Sequence, residues 1–133
     1  MAKREYVSPE GLLQNPAFSQ VVAASGSRTI YTAGQVSIDD SGALVGAGDL
    51  AAQTTQVMHN VGRALAAVGA DFSDVVKITT YVVNYKPEHR TVVGKARAPF
   101  FANGKLPAST LVGVAALALP EWLVEIEAIA VVD

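Results

Sequence analysis

The stretch from Leu106 to Val132 constrains the fold of this chain more than any other. Two apolar runs flank Leu119-Pro120-Glu121. The second run holds Val124, Ile126, Ile129, Val131 and Val132, mostly β-branched, so it reads as a strand. Glu125 and Glu127 sit inside it. Side chains alternate along a strand, so both carboxylates share one face. A lone buried carboxylate is very costly, so that face needs water, a cation or hydrogen-bond donors. The segment is therefore either a structural polar seam or the floor of a site. Glu125 reads equally as a water-orienting base or as a strand carboxylate held at a subunit junction, and Glu127 reads as structural.

The other elements follow from periodicity and turn residues. Residues 1–16 contain Pro9, Gly11 and Pro16 and read as a loop or loosely held arm. Phe18 to Ala24 and Thr29 to Thr32, separated by Ser25-Gly26-Ser27-Arg28, read as a hairpin. Gln35 to Ile38 continues as strand before the turn Asp39-Asp40-Ser41-Gly42. Leu50, Thr54, Val57, Met58, Val61, Leu65 and Val68 repeat at helical spacing behind the N-cap Asp49, with Gly69 near the C-cap. Gly62 inside this helix is accounted for by close packing on a sheet. Val75 to Val83 is a strand with Lys77, Thr79 and Tyr81 at one parity. Pro87 opens a second helix that runs to Phe100 or Phe101, with Pro99 in its last turn and Asn103-Gly104 as its stop. Strands at Ala108 to Leu117 and Trp122 to Val132 complete the chain.

This order predicts an α+β fold in a single domain, residues 1–133: one mixed sheet with two helices packed on one face. The opposite sheet face then needs a cover. Half of the residues are hydrophobic and the mean hydropathy is +0.31, which favours a homo-oligomer as that cover.

Several function classes are excluded on composition. A net charge of −2 and a pI near 5.6 speak against a nucleic-acid partner. No apolar run approaches the roughly 20 residues that cross a bilayer, so no membrane partner is expected. The N-terminus lacks an export signal, so the expected location is cytoplasmic. There is no cysteine, hence no disulfide or thiolate chemistry. His59 and His89 are the only histidines and form no ligand cluster; both are expected to be exposed, and neither a metal nor a cofactor is expected. Ser109 and Thr110 lack a Ser-His-Asp context and read as hydrogen-bonding groups. Tyr81, Tyr85 and Trp122 are candidate wall residues, with packing the better role for Trp122. The basic pair Lys3-Arg4 reads as solvated.

Gly34-Gln35, Gln53, Asn60, Val76-Lys77, Phe100-Phe101, Pro107-Ala108 and Val124-Glu125-Ile126-Glu127-Ala128, taken in order, resemble the RidA/YjgF (L-PSP-like) family. The resemblance runs from about Phe18 to Val132. It implies a chorismate-mutase-like fold assembled as a homotrimer, with three clefts between neighbouring subunits. It also implies hydrolysis of reactive enamines and imines, small-molecule substrates, to a keto acid and ammonia. An arginine holds the substrate carboxylate and a glutamate orients water. Carried over residue by residue, Glu125 matches that glutamate, and Gly34 and Leu111 match cleft-lining positions.

Four positions depart from the family pattern. Ser109 stands where the carboxylate-binding arginine is expected, Phe18 where a tyrosine is usual, Ala33 where a serine is common, and Gly94 where an asparagine is common. A serine cannot supply the charged bidentate fork of a guanidinium. The expected cleft is thus less charged and more apolar, suited to a neutral ligand or to one whose polar end lies elsewhere, and the hydrolase or deaminase is one of altered specificity. A non-catalytic ligand-binding or scaffold trimer is the alternative. Arg97 and Lys105 are the candidates for a replacement cation. A ribonuclease reading finds no basic, aromatic surface to support it.

Overall fold

The two longest apolar strands pair with each other, and the rest of the molecule is arranged around that pair. The computed structural model describes residues 1–101 and 104–133. Its elements are β1 (Lys3–Val7), β2 (Val21–Ser25), β3 (Arg28–Tyr31), α1 (Leu50–Ala66), β4 (Val75–Val83), α2 (His89–Arg97), β5 (Ala108–Val114) and β6 (Val124–Val132). β4 and β6 run antiparallel, with Tyr81 opposite Glu125 and Thr79 opposite Glu127. β5 lies parallel to β4 and β3 antiparallel to β6, giving the order β3-β6-β4-β5. The expected mixed sheet with two helices is what the chain forms.

One sheet face carries the core. Val57, Met58, Val61 and Leu65 of α1 and Val93 of α2 pack with Ile78 and Val82 of β4 and with Val124, Ile126, Ala128 and Ala130 of β6. Burying such a continuous apolar face is the main driving force for the fold. Asp49 caps α1 as expected, accepting from the Ala52 N–H at 3.0 Å. Asp49→Ala should therefore destabilise the protein by about 1 kcal/mol, read as a lowered Tm at fixed protein concentration; an unchanged Tm would show that the cap contributes nothing. Gly62 faces the ring of Phe72, 3.0 Å from where its Cβ would sit, rather than the sheet.

The N-terminal third differs from expectation. Residues 3–7 are a strand, not an arm, and β1 pairs with β2 from Lys3–Ser25 to Val7–Val21. Arg4 is not simply solvated: it forms an ion pair with Asp74 at 2.6 Å that ties β1 to the body. β2 and β3 do not form a hairpin with each other. β3 instead joins the long apolar β6, where Gly26 is required because a Cβ would fall 2.6 Å from the Val132 carbonyl oxygen. Gln35 to Ile38 forms isolated bridges, Gln35 to Ile126 and Ile38 to Leu44, rather than a strand. α2 stops at Arg97 and a 3₁₀ turn follows at Ala98–Phe100, where Pro99 has no N–H to continue the helix. The expected stop at Asn103 lies outside the described residues. No helix among the described residues is long and apolar enough to cross a membrane.

Candidate functional site

The register of β4 sorts the chemistry-bearing residues onto two opposite faces of the sheet. Ser109 lies beside Ile78 and Leu111 beside Thr80. Ile78 and Thr80 are buried on the helix side, so Ser109 and Leu111 point there too. Tyr81 and Thr79 alternate to the other face, with Glu125, Glu127, Thr110 and Val112 as their neighbours.

On the helix side, two adjoining hollows of about 270 Å³ and 680 Å³ meet at Gly94, Arg97 and Ser109. The smaller is closed by Ile78, Phe101, Leu106 and Pro107. The larger is bordered by Phe18, Tyr85, Arg90 and Leu111. Ser19 brings the N-terminal segment here: its Oγ donates to the Leu106 carbonyl at 2.6 Å and its N–H to that of Pro107 at 3.1 Å. Gly94 leaves the space open, since a Cβ there would meet nothing within 4 Å.

Of the two candidates for a replacement cation, Arg97 is the one that reaches the hollows. Its residue is only 9% exposed. Nη1 donates to Thr80 Oγ1 at 2.9 Å and more weakly to Ser109 Oγ at 3.4 Å. Nε is buried without a partner among the described residues. Burial pushes the guanidinium pKa down. The hollow is therefore not stripped of positive charge: the cation arrives from α2 instead of β5. Lys105 is exposed and borders neither hollow.

On the opposite face, Glu127 is held and Glu125 is not. Tyr81 donates its hydroxyl proton to Glu127 Oε1 at 2.5 Å. That bond, then burial and the charges of Glu127 and Glu125, raise the Tyr81 pKa, so Tyr81 remains a donor at neutral pH. Lys77 Nζ donates to Thr110 Oγ1 at 2.6 Å on the same face. Among the described residues, no donor or cation holds the half-buried Glu125 carboxylate. It lies over Gly34, where an added Cβ would fall 2.7 Å from the carboxyl carbon. Gly34 is thus the seat of that side chain, a role that a lone glycine between two apolar runs does not announce.

The candidate residues accordingly fall into two groups. Ser109, Phe18, Gly94 and Leu111 gather around Arg97. Glu125, Gly34 and Thr110 belong to the other face, with the exposed Ala33 next to Gly34 and away from both hollows. Within one chain the sheet separates the acid from the cation. Of the histidines, His59 is exposed and meets Phe100 edge-on, whereas His89 is half-buried, its Nδ1 accepting from the Lys86 N–H at 3.1 Å. No group of three or more metal-ligating side chains occurs among the described residues.

Comparisons with known proteins agree with this architecture. The family model described as endoribonuclease L-PSP matches residues 12–132. A rat protein named 2-iminobutanoate/2-iminopropanoate deaminase is 37% identical over 115 residues, covering 86% of this chain and 80% of its own. Protein DfrA of Myxococcus xanthus is 33% identical over 131 residues, 98% of this chain and 97% of its own. A Rid-family protein of unknown function from Yersinia pestis, YyfB, superimposes with a TM-score of 0.92 at 41% identity, over 96% of this chain and 98% of that one.

Proposed function

This chain belongs to the RidA/YjgF family, the family described as endoribonuclease L-PSP, and from that premise we propose that it hydrolyses small imines or their enamine tautomers, releasing ammonia. The observation that carries the reading is the carboxylate of Glu125 above Gly34, unheld among the described residues, beside a Glu127 that accepts from Tyr81. A purely structural seam would engage both. The rat, mouse and human relatives named as iminobutanoate/iminopropanoate deaminases lend the substrate class.

In this reading the site forms between subunits of a homotrimer, and its ligand is a small molecule. Glu125 of one chain faces the Arg97–Ser109 hollow of its neighbour, which unites the groups that the sheet divides. Glu125 takes a proton from water as the oxygen attacks the C=N carbon. The C–N π electrons pass to nitrogen, which takes that one proton back from Glu125 to give the carbinolamine. Its collapse forms the carbonyl as the C–N bond breaks, and Glu125 relays the hydroxyl proton to the departing nitrogen, which leaves as ammonia. Imine and water thus become 2-oxo acid and ammonia. Leu111 and Phe18 supply apolar walls that exclude bulk water.

The test is ammonia and 2-oxobutanoate formation from 2-iminobutanoate generated in situ by a threonine dehydratase. The expected result is a rate above that in buffer, proportional to added protein. A rate equal to buffer, with folded protein, would overturn the reading. Binding of the product without turnover would instead favour the scaffold alternative, which rests on Ser109 and Gly94 replacing polar family residues.

A further inference from the structure

We propose that Arg97 is the anion-binding residue of the hollow, so that the ligand's carboxylate is held by a cation from α2 rather than from β5. Three observations carry this. The guanidinium is 9% exposed and sits where the two hollows meet. Its bonded partners are neutral hydroxyls, Thr80 and Ser109, and no carboxylate pairs with it among the described residues. One of its N–H groups, on Nε, is buried and has no partner among the described residues.

Burying a guanidinium without a counter-charge is costly, and it is sustained where an anion completes the pair. Nε together with a terminal nitrogen offers the parallel fork that matches a carboxylate. Ser109 fits this arrangement better than a second arginine would. Its hydroxyl accepts from Arg97, whereas a cation on β5 would be repelled by the one already present. The empty space over Gly94 borders the same hollows as Arg97 and is offered as the room for whatever the carboxylate carries. The inference rests on the deaminase reading for the ligand's identity as a 2-oxo or 2-imino acid, but not for its charge.

The test is equilibrium binding of 2-oxobutanoate and of its neutral amide, 2-oxobutanamide, to the intact protein at low ionic strength. The native protein should prefer the carboxylate by about 10- to 100-fold, the range expected for charge-assisted bonds. Arg97→Met should remove that preference, and adding Ser109→Arg to Arg97→Met should restore it by returning the charge from β5.

Equal affinity of the native protein for acid and amide overturns the proposal, as does absence of binding to either. So does an Arg97→Met variant that keeps the preference. Should Arg97→Met fail to fold, Arg97→Gln takes its place, because Arg90 and Lys95 line the same hollow and the native comparison does not separate them from Arg97; a preference kept in Arg97→Gln overturns the proposal. Carboxylate preference without ammonia release would leave this proposal standing and remove the deaminase reading. Ammonia release with no preference for the acid would do the reverse.

Discussion

Glu125→Gln should lower the rate of ammonia release by about 10²–10⁴-fold, the usual contribution of a positioned general base. The substitution keeps the shape and removes the charge. Because no described residue depends on that carboxylate, the unfolding midpoint should stay where it is. Gly34→Ala probes the same group from below. Its new methyl would occupy the space of the Glu125 carboxyl and push it aside by about 1 Å, enough to cost roughly 100-fold in turnover. Paired loss of kcat with unchanged stability is the expected signature in both variants. Full activity in Glu125→Gln would remove the glutamate from the chemistry and leave it a strand residue.

Gln53→Leu should cost about 3 kcal/mol of stability, one of the largest losses available to a single side chain in this protein. Gln53 is fully buried in α1. Its Nε2 donates to the Gly46 and Glu121 carbonyls, each at 3.1 Å, and its Oε1 accepts from the Leu123 N–H at 2.9 Å. The one amide therefore joins the loop before α1 to the turn that leads into β6. Leucine fills a similar volume, so the loss comes from the stranded Glu121 carbonyl and Leu123 N–H, the Gly46 carbonyl keeping the Asp49 N–H at 3.0 Å, and not from a cavity. Urea unfolding at fixed protein concentration measures it. A change below 1 kcal/mol would mean that water replaces the amide without penalty.

The elements that could be read from sequence are those whose signal is local. α1 shows its own period and its own cap. β4, from Val75 to Val83, is bounded by polar residues and carries alternating polarity within. What could not be read is partnership. β2 and β3 look like a hairpin because a turn separates them, but β3 is taken by β6, whose apolar length demands a second neighbour. β1 was hidden because Lys3, Arg4 and Glu5 are unlike strand residues, and only groups far along the chain, Asp74 and the Val131 carbonyl, explain Arg4. The site divided in the same way. Glu125 stood out as a charge in an apolar run. Gly34 as its seat, and Arg97 as the neighbour of Ser109, depend on contacts that no local pattern encodes.

The division of acid and cation between the two sides of one sheet has a consequence for mixtures and for dilution. A function that needs both groups in one place belongs to no single polypeptide. It would vanish as the protein is diluted below its assembly threshold, even with every chain still folded. Two inert chains, one carrying Glu125→Gln and the other Arg97→Met, should revive each other when co-assembled, because some junctions then receive an intact group from each parent. If chains assemble in this way, a damaged copy is only partly dominant over a sound one, since a chain lacking one group spoils only the junction to which it would supply that group.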